Sequence, residues 1–140
     1  MKVDLRLPPP ARVLVDTSVL VLHLRGDSTG EVLLSWAATL GIPLVSPLSV
    51  LEITQAMQPH EEPSTRSLIE SLEEVPFDGK IAWQAGSILQ RLRRRGITIH
   101  LPHAAIAASA MARQAAVLTH NARHFEHVEG LVVLDAMGVH

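Results

Sequence analysis

The sequence contains no cysteine and no tyrosine, and only two tryptophans and two phenylalanines among its 140 residues. Without cysteine there can be no disulfide bond and no thiolate ligand for a metal, and such a composition fits the cytoplasm. Aromatic residues make up 3% of the chain and hydrophobic residues 47%, so aliphatic side chains must fill the core. The composition therefore predicts a folded protein rather than a disordered one.

Long apolar runs and a large excess of one charge are also missing. No stretch approaches the roughly 18 apolar residues that cross a bilayer, and the first residues lack the apolar segment of a secretory signal. We therefore expect a cytoplasmic protein with no membrane span. The formal net charge is −2, so a role in binding nucleic acid would need a local basic surface.

Apolar runs alternate with segments of helical periodicity along a chain that has the length of one domain. Residues 1–11 contain three consecutive prolines and are predicted to be an N-terminal extension, whereas residues 12–140 form a single domain. The predicted strands cover residues 13–15, 42–46, 116–119 and 131–134, and residues 75–77 form a short extended piece. Helices are predicted over residues 28–40, 48–57, 64–72, 78–95 and 102–113. This alternation predicts an α/β domain with a mainly parallel sheet.

A carboxylate stands at the end of the first predicted strand. Asp16 follows the apolar run 13–15, and Thr17 or Ser18 is suited to cap the helix that comes next. Open α/β sheets bind their ligands at the carboxyl ends of their strands. A carboxylate in apolar surroundings needs a cation or several hydrogen-bond donors to stay ionised. Asp16 is therefore predicted to bind a ligand, the alternative being a helix-capping acid.

Two other polar side chains extend this interpretation. Glu52 lies among apolar neighbours in a predicted helix, where a carboxylate is usually paired, although a solvated position is the alternative. Asp16 and Glu52 together supply the one or two carboxylates that commonly hold Mg²⁺. Asn121, just after the strand 116–119, could orient a water molecule or donate to Asp16. A bound divalent ion can lower the pKa of a coordinated water.

Four segments, in this order, resemble the motifs of PIN-domain proteins and, more narrowly, of the VapC-type toxins of toxin–antitoxin pairs. They are residues 13–18, 46–52, 95–108 and 118–125. The resemblance implies a three-layer α/β/α sandwich whose clustered acids bind Mg²⁺ or Mn²⁺ and hydrolyse RNA. Carried over by position, the catalytic residues are Asp16, Glu52, His103 and Asn121, of which Asp16 and Glu52 hold the metal, with Thr17, Ser18 and Thr119 in support.

His103 departs from the family pattern, because an acid normally occupies that position. A neutral imidazole there could bind a metal, with a preference for manganese, zinc or nickel. A protonated His103 could instead meet the phosphate or neutralise Asp16 and Glu52, or the residue could simply fill the place of the acid. We expect His103 to weaken magnesium-dependent catalysis relative to an aspartate.

Two clusters of basic residues lie outside this set. His120, His124 and His127 match no zinc-binding spacing. Arginines crowd the end of the helix predicted before Gly96, in greater number than the helix dipole requires, so a contact with RNA phosphates is expected. The residues predicted to contact RNA are Arg91, Arg94, Arg95 and Arg123.

The resemblance implies an endoribonuclease toxin that acts on RNA, forms a homodimer and is neutralised by a cognate VapB-like antitoxin. A second hypothesis is a PIN-like domain that binds RNA or an antitoxin without cleavage, because His103 and Asn121 occupy acid positions. A third, a DNA-directed flap nuclease, is disfavoured by the small size of the chain.

Overall fold

A five-stranded sheet with the order β3-β2-β1-β4-β5 forms the centre of the computed structural model, which describes residues 12–136. The strands are β1 (Val13–Val15), β2 (Leu44–Val45), β3 (Glu73–Glu74), β4 (Ala116–Thr119) and β5 (Val133–Asp135). All four pairs of neighbouring strands are parallel, as predicted. The predicted extension, residues 1–11, lies outside the described residues.

Six α-helices connect the strands within residues 12–136. They are α1 (Thr17–Leu24), α2 (Ser28–Ala38), α3 (Pro47–Ala56), α4 (Glu62–Glu70), α5 (Gly79–Arg94) and α6 (Leu101–Ala112). Single 3₁₀ turns cover Pro59–Glu61 and Ala122–His124. No helix in this part of the chain is long and apolar enough to cross a membrane.

Successive residues of β1 pack on opposite faces of the sheet. Leu14 belongs to a core cluster with α5 and α6, whereas Val13 and Val15 belong to a second cluster with α1 to α4. All three side chains are at most 1% exposed. A strand that is buried on both faces reads as a continuous apolar run, which is why its bounds could be predicted. Helices on both faces confirm the three-layer α/β/α sandwich.

The edge strand β3 lies at Glu73–Glu74, not at residues 75–77, where the sequence suggested an extended piece. Two glutamates carry no apolar signal, and the strand is defined instead by backbone bonds such as Glu73 N to Pro43 O at 2.9 Å. The Glu73 carboxylate accepts hydrogen bonds from Arg12 (3.0 Å) and Arg113 (3.2 Å). The hydrogen bond from Arg12 and the nearby positive charges lower the pKa of Glu73.

Other observed boundaries differ from the predicted ones by a few residues. Helix α4 begins at Glu62 rather than Ser64, because Pro63 is tolerated in the first turn of a helix. Strand β5 covers residues 133–135 rather than 131–134.

Helices α1 and α2 approach each other closely at Gly30, which is buried. A Cβ atom placed on Gly30 would lie 2.7 Å from His23 Cα and 2.9 Å from the carbonyl carbon of Leu22. Both atoms belong to the α1 backbone, which cannot move aside as a flexible side chain would. The glycine therefore permits the contact between the two helices.

We predict that Gly30→Ala destabilises the protein by about 1–3 kcal/mol, because the added methyl group overpacks the α1–α2 contact. The matched control is Gly86→Ala in α5, where an added Cβ meets nothing within 4 Å. This control should stabilise the protein by about 1 kcal/mol through helix propensity. Urea denaturation measures both changes, and a Gly30→Ala protein as stable as the wild type would contradict the packing account.

Candidate active site

A cleft of about 400 Å³ opens at the carboxyl edge of the sheet. Six of the side chains predicted for the site line it: Asp16, Thr17, Ser18, Glu52, His103 and Asn121. They come from the end of β1, the start of α1, the middle of α3, the first turn of α6 and the segment after β4. The parallel sheet brings these elements to one edge, although their residues lie far apart in the sequence.

Asp16 is the most buried ionisable group in this cleft, at 3% exposure. Its Oδ2 atom accepts hydrogen bonds from Ser18 Oγ and Thr119 Oγ1, both at 2.8 Å. It stands at the N-cap position of α1, but its side chain makes no capping hydrogen bond, so the helix-capping alternative is wrong. Within residues 12–136 no salt bridge involves Asp16 and no hydrogen bond reaches its Oδ1 atom. A buried carboxylate with neutral partners only is suited to receive a cation.

The two hydroxyl groups that hold Asp16 are themselves oriented by the backbone. Ser18 Oγ accepts from His120 N at 3.0 Å, and Thr119 Oγ1 accepts from Asn121 N at 2.9 Å. Each hydroxyl thus receives a backbone N–H and turns its own hydrogen toward the carboxylate. The chain after β4 therefore fixes the position of an acid that follows β1.

Glu52 is half-buried on α3, and the Thr17 hydroxyl donates to its Oε1 atom at 3.0 Å. The same hydroxyl lies 2.8 Å from the oxygen of Ser49, which is fully buried. Ser49 was not predicted for the site. Its spacing of three residues before Glu52, which places both on one helix face, was the available signal. Ser46 caps α3 by accepting from Leu48 N at 3.1 Å and so fixes where this helix begins.

His103 contributes a buried Nδ1 atom that has no hydrogen-bond partner among the described residues. Its ring lies 4.2 Å from that of His124 and 5.3 Å from that of Phe125, between ring centroids. Burial lowers the pKa of His103, and His124 and His100 lower it further, against the opposite effect of Asp16. The net effect favours the neutral imidazole of His103 and disfavours its role as an internal cation.

Asn121 is exposed at the rim of the cleft. Its backbone N–H bonds to Thr119, but its side chain makes no hydrogen bond within residues 12–136. The suggested donation from the Asn121 amide to Asp16 is thus not observed.

Arg25, the residue just after α1, also lines the cleft, although it was not predicted for the site. Its spacing from Ser18 and Leu22, seven and three residues along one helix face, was the signal for it. Of the arginines predicted to contact RNA, Arg123 lies in the turn after Asn121, and the others line a separate groove beside α5. Those others are Arg91, Arg94 and Arg95.

The donors of this cleft suit one class of metal ion better than another. Among residues 12–136, no three histidine, aspartate or glutamate side chains converge to form a ready-made metal centre. Zinc sites need three or four protein ligands, so they fit poorly. Mg²⁺ and similar hard ions are held by one or two carboxylates and keep several waters. Asp16 and Glu52 fit that requirement.

Comparison with known proteins gives a consistent result. The PIN domain family profile matches residues 13–131. Ribonuclease VapC10 of Mycobacterium tuberculosis (strain H37Rv) is 33% identical over 119 residues, covering 85% of this chain and 90% of that protein. Ribonuclease VapC1 of Methanocaldococcus jannaschii is 26% identical over 128 residues, covering 89% and 88%.

A solved structure shares the fold. The crystal structure of VapBC2 from Rickettsia felis, bound to a DNA fragment from its promoter, aligns with a TM-score of 0.76 and 19% identity. The alignment covers 88% of this chain and 97% of that one. At this identity the likeness demonstrates the fold alone.

We predict that His103 reduces the stability of the folded state at acid pH. Its folded-state pKa lies below the ordinary value of 6.5, so the unfolded chain binds the proton first. Its contribution is complete above about pH 6.5 and is lost as the pH falls from there through the folded-state pKa. The free energy of unfolding of metal-free wild type should therefore fall more steeply with acid than that of His103→Gln.

The matched control is His60→Gln, at an exposed position outside the cleft. NMR titration of the imidazole signals gives a direct second measurement. Equal pH dependence of wild type and His103→Gln, or a His103 midpoint above 6.5, would contradict the assignment.

Proposed function

The chain belongs to the PIN-domain family, within its VapC-like group, and from that premise we propose that it is a metal-dependent endoribonuclease toxin. It would hydrolyse RNA phosphodiester bonds and be neutralised by a VapB-like antitoxin. The observation that carries this proposal is the Asp16 carboxylate. It is buried, has only neutral hydrogen-bond donors, and faces the same cleft as Glu52.

Asp16 and Glu52 are the residues that would hold Mg²⁺ or Mn²⁺. Such an ion, when bound, lowers the pKa of a coordinated water and offsets charge on the phosphate. Ser18 and Thr119 engage one oxygen of Asp16, so that the other, Oδ1, would be available to a cation. Thr17 orients Glu52 in the same way. These hydroxyls fix both carboxylates before substrate arrives, which lowers the cost of reorganisation.

The remaining cleft residues would act on the substrate. Asn121 would orient a water through its exposed amide, and the His103 imidazole, which also lines the cleft, would be available there as a hydrogen-bonding group. Arg25 lines the cleft, and no lysine or other arginine of the described residues does. It is therefore the group that would bind an RNA phosphate. Arg123, two residues beyond Asn121, would extend this contact along the RNA chain.

The proposal includes two protein contacts. The solved VapBC structures that share this fold support a VapB-like antitoxin as partner, and a homodimer is proposed with it. RNA and antitoxin would both meet the chain in the cytoplasm. Co-purification of the product of a neighbouring small reading frame, with loss of RNA cleavage, would support the antitoxin, and light scattering measures the dimer. A monomeric chain whose cleavage no neighbouring product inhibits would refute both contacts.

The second hypothesis is a PIN domain that binds RNA or antitoxin without cutting. It is favoured by one observation, the histidine at the position where the family has an acid, which leaves only two carboxylates among the cleft residues. Cleavage assays separate the two hypotheses directly.

We predict that the wild-type protein cleaves a pool of end-labelled random RNA oligonucleotides when Mn²⁺ or Mg²⁺ is present, and that chelation stops cleavage. Asp16→Asn should lower the rate at least about 100-fold, because the carboxylate charge that holds the ion is lost. Arg25→Gln should mainly raise KM, since it removes a phosphate contact. Asp27→Asn is the matched control, because Asp27 caps α2 outside the cleft and asparagine caps a helix equally well.

Cleavage that survives chelation or Asp16→Asn would refute the proposed mechanism. Binding of RNA without cleavage by the wild type at any concentration of either ion would establish the second hypothesis instead.

A further inference from the structure

A groove of about 740 Å³ follows α5 on the opposite side of the sheet from α1 to α4, and it shares no residue with the active-site cleft. It extends from Asp78, just before α5, to Arg95, just after it. The helix has 16 residues and is therefore about 24 Å long. We name it the α5 groove.

The floor of the α5 groove is apolar. Its central residues are Ile88 on α5, Ala108 on α6 and Val128, which are between 3% and 8% exposed and belong to the core cluster on this face. Met111 adds an apolar side chain that is 41% exposed. An open channel over the core of this kind can accept apolar groups from another molecule.

The rim of the α5 groove is positively charged. Five cations line it, namely Lys80, Arg91, Arg94, Arg95 and Arg113, against two carboxylates, Asp78 and Glu129. Within residues 12–136, only Arg113 among these cations is in a salt bridge, at 3.2 Å from Glu73. The helix dipole favours arginine in the last turn of α5, but it does not explain why the unpaired side chains border an apolar channel.

The apolar floor and the basic rim together indicate what kind of ligand the α5 groove would bind. RNA would satisfy the cations, but single-stranded RNA is normally held by bases that stack on aromatic rings. No phenylalanine, tryptophan or tyrosine lines the α5 groove. An amphipathic helix with an apolar stripe and flanking carboxylates matches both the floor and the rim, in the helix-in-groove mode of recognition.

We propose that the α5 groove is a docking site for an acidic amphipathic helix of a partner protein. The arginines that the sequence suggested for RNA contact, Arg91, Arg94 and Arg95, would then recognise protein carboxylates. The inference is independent of the ribonuclease proposal, because groove and cleft have no residue in common.

The test uses a fluorescent peptide as long as α5. Its leucines are spaced alternately three and four residues apart, so that they form one stripe on a helix, and glutamates occupy the other positions. Fluorescence anisotropy should show saturable binding that weakens with salt. Reversing the charge at Arg91 and Arg95 together (Arg91→Glu, Arg95→Glu) should weaken it by about tenfold or more. Arg93→Glu is the matched control, since Arg93 is on the same helix turn but does not line the groove.

Binding that is retained by Asp16→Asn and by Arg93→Glu, but lost in the double variant, would support the proposal whether or not the protein cleaves RNA. It would be overturned by absence of saturable binding, by equal loss in Arg93→Glu, or by equal binding of a peptide with the same composition and scattered leucines. Displacement of the peptide by an RNA oligonucleotide would also overturn it, in favour of an RNA surface. Circular dichroism checks that each variant is folded.

Discussion

The buried carboxylate of Asp16 is the constraint on which the rest of the structure depends. An acid at 3% exposure, with two hydroxyl donors and no salt bridge among the described residues, is costly unless a cation joins it. One of its donors, Thr119, is 103 residues away in the sequence. The parallel register that pairs Val15 with Leu118 places the next residue of each strand side by side. The order of strands in the sheet is therefore what assembles the site.

The surrounding layers make this arrangement possible. Strands β1 and β4 are buried on both faces, so their ends are held rigidly between two helical layers. Helix α3 starts at the Ser46 cap and carries Glu52 to the same edge. Binding groups that are fixed by packed elements and by oriented hydroxyls need little rearrangement when substrate or ion arrives. Without metal, the fold is expected to be less stable than that of a variant with a neutral side chain in place of Asp16, because the buried carboxylate is then unpaired with a cation.

The parts that the sequence could predict are those with a local signal. The bounds of β1 and β4 followed from apolar runs, and the parallel sheet followed from the alternation of strands with helices. Strand β3 had no such signal, because it consists of two glutamates whose pairing is defined by the backbone.

Positions that depend on side-chain direction were harder to predict. Ser49 and Arg25 enter the site through helix faces whose orientation only the packing decides. The location of the arginines at the end of α5 was likewise not predictable from the sequence. Their clustering indicated a basic surface, but only the fold shows that Arg91 and Arg95 border an apolar groove away from the cleft.

The most direct test of the central claim is thermal unfolding of wild type and Asp16→Asn, each in a chelator and in rising Mn²⁺. Without metal, Asp16→Asn should unfold at the higher temperature, because the amide keeps the hydrogen bonds and removes the buried charge. Mn²⁺ should raise the Tm of the wild type in proportion to the logarithm of its concentration and leave the variant unchanged. If Mn²⁺ stabilised both proteins equally or neither, and Asp16→Asn were the less stable protein in chelator, Asp16 would be a structural residue rather than the cation-binding acid.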